Sequence, residues 1–347
     1  MIKEAINALV NGQDLSFDQT KAVFEQIFNH KAESSQIAAF LTALKIKGEK
    51  ESEISAAATV VRSHANKINI GKDLIGQDIN SQPIIDTCGT GGSGLNKFNI
   101  STAVSFVIAS SGTIVAKHGN RAMSSSCGSA DVLEALGINI SAKAEVMEQA
   151  LKKCGIAFLY APLYHPALGE VAKIRREMGI RTIFNILGPL CNPAQANHQL
   201  LGVYSPDLVV PLAKVLRQLG SKRAMVVYGK DLKDEISLTG KTESAFLNNK
   251  KITKLTLSPA SFGLKKIRVS DILADRPDIS AQMIRDVLAG KKGASRDIVL
   301  ANASACLYIL AKVDNFKQGV AQAAQLIDQG KAKAKYLEFK NFLETNA

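Results

Sequence analysis

The string Asp86-Thr87-Cys88-Gly89-Thr90-Gly91-Gly92-Ser93-Gly94 places four glycines within six residues, shortly before Asn99-Ile100-Ser101-Thr102. Glycines let a backbone adopt positive φ and approach a ligand closely. Successive N–H groups in such a turn form a concave anion nest. Asn99, Ser101 and Thr102 fall where a following helix begins, and a helix N-terminus favours phosphate. No Gly-Lys-Ser/Thr follows, so this is not a Walker loop, and the glycine spacing is not that of a dinucleotide fingerprint.

Three further groups of residues suit the same ligand chemistry. Lys117-His118-Gly119-Asn120-Arg121 ends an apolar run from Thr113, where an open α/β sheet binds ligands beyond its strand ends. Ser124, Ser125 and Ser126 add hydroxyl donors, and Ser129 opens another helix. A structural histidine at His118 and an exposed serine loop are the plainer alternative, which two glycine- and hydroxyl-rich strand-to-helix turns in one domain weaken. On the helix from Gly169 to Met178, Val171, Ile174 and Met178 share one face; Arg175 sits at its border and Arg176 points largely away. A border Arg can bury its stem and present its fork to a carboxylate, or simply snorkel to solvent. Asp234-Glu235 is a solvated acidic pair or, in a loop, two oxygen ligands converging on Mg²⁺.

The elements that must position these residues are legible from periodicity. The first ~70 residues read as helices. Ser16 and Gln19 make a capping-box pattern. Val23/Phe24/Ile27/Phe28, Ile37/Phe40/Leu41/Leu44 and Ile54/Ala57/Ala58/Val61 form three apolar stripes. Gly71 to Pro83 reads as a linker. Short apolar runs then alternate with helical stretches, which implies a mainly parallel sheet covered on both faces. The last ~70 residues return to helices. The predicted class is α/β: a small helical N-terminal domain plus a larger α/β domain with a mainly parallel central sheet.

Composition narrows the field. With 46% hydrophobic and 21% charged residues in 347, the chain has the balance of an ordinary globular protein. The net charge of +12 favours acidic partners without choosing among nucleic acid, membrane surface and phosphorylated small molecules. Trp is absent and aromatics are 5%, so no stacking surface for single strands stands out, and nucleic acid is not the expected partner. Five cysteines without a C-x-x-C pair argue against a disulfide framework or zinc site. The most apolar stretch, from Ala103 to Ala116, is too short to span a membrane. The expected location is the cytoplasm.

Taken together, the strings closely resemble the anthranilate phosphoribosyltransferases. The matching segments are Gly89-Thr90-Gly91-Gly92, Asn99-Ile100-Ser101-Thr102-Ala103, Lys117 to Arg121, Gly128 to Gly137, His165-Pro166-Ala167, Arg181 to Pro193, and Asp234-Glu235. Their order and spacing agree over nearly the whole chain.

The resemblance implies a helical dimerisation domain of residues 1–72 and about 163–190. Hinges would join it to an α/β domain of 73–162 and 191–347 that binds phosphoribosyl pyrophosphate (PRPP). It implies a homodimer, PRPP and anthranilate as substrates, and two Mg²⁺ per subunit. By position, Gly89, Gly92, Ser93, Lys97, Asn99, Ile100, Ser101, Thr102, Lys117, His118, Gly119, Asn120, Arg121, Ser124, Ser125 and Ser129 would hold PRPP. Gly89, Asn120, His165 and Arg175 would hold anthranilate, with Arg175 on its carboxylate. Lys117, Asn120 and Arg175 would be catalytic, and Ser101, Asp234 and Glu235 would serve the metal.

The chain departs from the family at two of these positions. Ser93 stands where the family usually has Asp, and Lys97 where it commonly has Thr or Ser. The lost carboxylate and gained cation imply that Lys97 takes over part of the metal's electrostatic work. Two rival readings share this fold: a pyrimidine-nucleoside phosphorylase, which the acidic pair and Asn120/Arg175 disfavour, and a nucleic-acid-binding relative, which should have lost the pyrophosphate strings.

Overall fold

The computed structural model describes residues 1–68, 73–74, 77–78, 82–122 and 127–346. Most of the Gly71–Pro83 linker, and Ser124, Ser125 and Ser126, lie outside the described residues.

Helices α1 (Ile2–Val10), α2 (Phe17–Phe28), α3 (Ser34–Lys47) and α4 (Glu51–Ser63) open the chain. The Ser16–Gln19 capping box forms: Gln19 N donates to Ser16 Oγ (3.2 Å) and Ser16 N to Gln19 Oε1 (2.9 Å). All three apolar stripes are buried and pool into one core.

Strands and helices then alternate through β1 (Ile84–Gly89), α5 (Ile100–Ala109), β2 (Ile114–Gly119), α6 (Ser129–Ala135), α7 (Ala144–Cys154) and β3 (Ile156–Tyr160). Three helices follow, α8 (Ala161–Tyr164), α9 (Ala167–Met178) and α10 (Phe184–Leu187). Val171 and Ile174 of α9, then Ile183 to Leu190, return to the core of the N-terminal helices. The chain resumes with β4 (His198–Gly202), α11 (Val209–Gln218), β5 (Arg223–Gly229), β6 (Thr242–Asn248) and β7 (Lys251–Leu257). It ends in α12 (Pro277–Leu288), α13 (Ala294–Ile309), α14 (Phe316–Asp328) and α15 (Lys331–Asn346).

Apart from a short antiparallel pair at Asp73–Leu74 and Gln77–Asp78, the described strands form one seven-stranded sheet in the order β3-β2-β1-β4-β5-β6-β7. The first five are mutually parallel, as expected; β6 and β7 are added antiparallel. Edge strand β7 turns Lys251 and Lys254 to solvent, which discourages edge-to-edge pairing with another chain. Side chains alternate across the sheet. On β5, Met225 and Val227 join the core under α5 and α13, while Ala224 and Val226 join the helical-bundle core through α11. Helix α11 is tied to α4 by Lys214–Glu51 (2.8 Å), and Arg62 donates to Leu190 O (2.7 Å) and Leu219 O (3.1 Å).

Strand order reverses between β1 and β4. Crossovers leave those two strands in opposite directions, opening a crevice beyond their carboxyl ends. Gly89 and Gly202, register partners at those ends, mark the place.

Candidate active site

A cleft of about 310 Å³ opens at this switch point, and most of the sequence-predicted residues line it. A larger surface groove of about 680 Å³ lies near α11 and β7 but holds none of them. Its Lys230, Lys241 and Lys254 are exposed beside Asp207 and Glu243, so convergent chemistry lies in the smaller cleft.

The glycine-rich loop leaves β1 with Gly91, Gly92 and Gly94 at φ of 66°, 74° and 70°, conformations that L side chains rarely adopt. Its base is pinned to β4: Thr90 N donates to Gly202 O (2.9 Å) and Tyr204 N to Thr90 Oγ1 (3.1 Å). The Ser93 hydroxyl turns back on its own loop, accepting from Leu95 N at 3.3 Å.

Asn99 caps α5. Its Oδ1 accepts from Thr102 N (3.1 Å), Thr102 Oγ1 (2.7 Å) and Ser101 Oγ (3.2 Å). That leaves the Asn99 NH₂ group as the end available to a ligand. Thr102 is buried beneath it and supports the cap without reaching the cleft. Ile100 does not reach it either: its side chain is in the core and its N–H donates to Phe98 O (2.8 Å).

Lys117 is 3% exposed yet lines the cleft. Its ammonium donates to Thr87 O (2.6 Å) and Ser101 Oγ (3.1 Å), which leaves one of three donors unspent. Burial pulls its pKa down, and the nearby Asp86 carboxylate opposes that pull. Asp86 is fully buried and accepts from His118 N (3.2 Å) and Asn192 Nδ2 (2.8 Å). Burial pushes its carboxyl up to about 6 against the opposing charge of Lys117.

Asp234 and Glu235 both face the cleft, carried over the strand ends by a tight turn in which Gly229 and Lys233 exchange N–H···O bonds of 2.7 and 2.6 Å. Gly89 makes room for them: a Cβ there would lie 3.1 Å from Asp234 Oδ2. Lys97 forms an ion pair with Asp234 and donates to Leu232 O (3.1 Å). Burial pushes half-buried Glu235 up to about 7; Lys97 opposes this and Asp234 adds to it. Among the described residues no three His, Cys, Asp or Glu side chains cluster into a metal cage. Two carboxylates and the Ser101 hydroxyl are nevertheless hard oxygen donors of the kind Mg²⁺ takes with substrate phosphate and water, so the donor set fits that ion.

On the opposite wall, the Arg175 guanidinium lies 5.4 Å from the Phe184 ring centre. No ion pair to it is found among the described residues, and burial lowers its pKa. His118 and His165 lie side by side with ring centres 5.1 Å apart and planes tilted by 55°. His118 Nδ1 lies 3.2 Å from Gly188 O; a carbonyl only accepts, so the proton sits on Nδ1 and Nε2 is a bare acceptor. Burial holds His118 down to about 3 and His165 to about 4, so both rings are neutral near pH 7.

Asn120, Gly119 and Ser129 complete the rim, and Ser129 Oγ donates to Asn120 O (3.3 Å). Gly128 packs so tightly under this turn that a Cβ would overlap the Arg121–Ala122 backbone. Arg121 reaches the rim, but its guanidinium is committed to Glu134 (2.6 Å), Asp131 (3.0 Å) and Tyr160 OH (3.2 Å). Sequence reasoning assigns no role to Asp86, Asn192 or Arg181. A carboxylate inside an apolar strand was the available signal for Asp86; the other two are defined only by partners distant in sequence.

Known proteins resemble this chain over nearly its whole length. Residues 81–333 match the a/b domain of a glycosyl transferase family and residues 3–65 its helical bundle domain. An anthranilate phosphoribosyltransferase of Petrotoga mobilis is 45% identical over 350 residues, covering 100% of this chain and 99% of its own. The crystal structure of anthranilate phosphoribosyltransferase from Thermus thermophilus aligns with a TM-score of 0.90 at 35% identity, covering 98% of this chain and 99% of that one. The Saccharomyces cerevisiae enzyme in complex with PRPP and Mg aligns at 0.89 and 27% identity, covering 99% and 98%.

Proposed function

The chain belongs to the anthranilate phosphoribosyltransferase family, and on that premise we propose that it transfers the phosphoribosyl group of PRPP to the amine of anthranilate. The products are N-(5-phosphoribosyl)anthranilate and pyrophosphate, in the second step of tryptophan biosynthesis from chorismate. The observation that carries this reading is convergence. An anion nest, a buried Lys, an acidic pair and a half-buried Arg without a carboxylate partner share one cleft at the strand-order reversal.

Breaking the C1–O bond places oxocarbenium-like charge on the ribose and negative charge on the departing pyrophosphate. The third N–H of Lys117 and the glycine-loop N–H groups meet that negative charge in a site shielded from water. Asn99 and Ser129 hold the phosphates at two turns. Arg175 pairs with the anthranilate carboxylate, and Asn120 and His165 set the ring. The weakly basic aryl amine needs positioning more than prior deprotonation, and proximity supplies it. The neighbouring carboxylate of anthranilate accepts the proton. Mg²⁺, bound through Asp234, Glu235 and Ser101 at two sites per subunit, supplies further positive charge at the pyrophosphate.

The helical unit of 1–72 and about 163–190 hinges on the remainder and closes over the substrates, with the loop from Lys117 to Ser125 as a cover. Two subunits pair through the helical units. In support, Val10 of α1 and Ile46 of α3, two helices packed on each other, are 71% and 81% exposed. No helix among the described residues is long and apolar enough to cross a membrane, and all five cysteines are free, which suits the cytoplasm.

The reading is tested by following anthranilate fluorescence on mixing the protein with PRPP and Mg²⁺. A decay that needs all three components is expected; none at micromolar enzyme would overturn it. Arg175→Ala should raise the anthranilate KM by about 10- to 100-fold, the scale of one charge-assisted contact, with the PRPP KM little changed. An unchanged anthranilate KM would remove Arg175 from the site.

A further inference from the structure

Arg181 lies on the segment between α9 and α10 and reaches across to the glycine-rich loop. Its Nη2 donates to Gly92 O at 3.0 Å, and its guanidinium lies 4.7 Å from the Tyr204 ring centre. Gly92 (φ 74°) lets the fork come this close: a Cβ there would stand 3.3 Å from Arg181 Cζ. The guanidinium thus donates to the loop while lying over the ring, a combination that Lys cannot match.

The consequence follows from peptide geometry. In a trans peptide the C=O of one residue and the N–H of the next share a plane and point in opposite directions. Gly91, Gly92 and Ser93 line the cleft, whereas Arg181 and Tyr204 do not. With the Gly92 carbonyl turned outward onto Arg181, the Ser93 N–H is turned inward, and it has no acceptor among the described residues.

The geometry points to Arg181 as a positioning residue for the transfer: it locks the Gly92–Ser93 peptide so that the Ser93 N–H is preset as a donor to the pyrophosphate of the substrate. This rests on the reading proposed above and deepens it. The loop is therefore held at both ends, by β4 through Thr90 and by Arg181 from the segment that follows Arg175. A glycine-rich turn left to itself samples many peptide orientations, and an anion would have to order it at the cost of its own affinity.

The test uses the full-length protein as wild type, Arg181→Gln, Arg181→Lys and Tyr204→Leu. PRPP binding with Mg²⁺ is measured by calorimetry without anthranilate, alongside both KM values and the melting temperature. Arg181→Gln should weaken PRPP binding and raise the PRPP KM by about tenfold, with the anthranilate KM and melting temperature near wild type. Arg181→Lys should fall between, and Tyr204→Leu should act in the same direction more weakly. Arg181→Gln combined with Tyr204→Leu should cost less than the product of the two, because one device is being removed. Wild-type PRPP affinity in Arg181→Gln would overturn the role, as would an equal rise in both KM values, which signals general distortion. A wild-type protein that fails to bind PRPP would overturn the assigned substrate and this role with it.

Discussion

Lys117→Met should lower kcat/KM for PRPP by about 100- to 1000-fold, the range for removing one preorganised donor at a site of developing charge. The side chain is nearly isosteric, so packing is conserved and the loss is that of the ammonium. Lys117 is anchored on Thr87 O and Ser101 Oγ, and an anchored charge costs no reorganisation as the pyrophosphate leaves. The variant also strips Asp86 of its opposing cation. In the native protein the Asp86 pKa stands at about 6, above its ordinary 3.8. A carboxyl raised on folding favours the fold when protonated, so its contribution falls as pH rises from about 4 through about 6. Without Lys117 the folded pKa rises further, and the loss deepens and extends to higher pH. The melting-temperature gap between Lys117→Met and wild type should therefore widen between about pH 6 and pH 8. A constant gap would mean that Lys117 does not support Asp86. Near-normal kcat/KM would place the ammonium away from the leaving group.

The same pair of residues illustrates what the sequence makes legible. Lys117 stands in a local string with Gly119 and Asn120, and a phosphorylated ligand demands such strings where a strand meets a turn. The capping box at Ser16 and the three helical stripes are equally local. Asp86 acquires its meaning from Asn192, 106 residues away, and Arg181 from Gly92, 89 residues away; no spacing rule reaches so far. Arg121 suited a phosphate by type and place, but Asp131 and Glu134 on α6 take up its guanidinium. Ile100 and Thr102 sit in a matching string whose helix turns them inward, one to the core and one to the Asn99 cap. The antiparallel pair β6–β7 has a physical reason for being faint. Lys254 breaks the apolar alternation of an edge strand in which only Leu257 is buried.

Glu235→Gln should reduce kcat by about 100-fold and leave the anthranilate KM close to wild type. The substitution keeps shape and removes one negative charge from a wall where Asp234 is already paired with Lys97. Glu235 is thus the carboxylate not held by a direct cation contact among the described residues, and the one on which a metal depends most. Full activity in Glu235→Gln would sink the metal assignment. The Lys97–Asp234 pair carries a second expectation. A resident ammonium on Asp234 does some of the neutralising that a cation there would do, so the native protein should retain more activity at trace Mg²⁺ than a variant without it. Ser93→Asp combined with Lys97→Thr restores a carboxylate and removes the competing charge. Opposite charges attract and the ammonium no longer has to be displaced, so half-saturating Mg²⁺ should fall while activity at trace Mg²⁺ drops towards background. An unchanged Mg²⁺ profile in that double variant would show Lys97 to be a bystander. A lost trace activity with Glu235→Gln still inactive at high Mg²⁺ would divide the work between them: Glu235 recruits the metal, and Lys97 lightens what the metal must do.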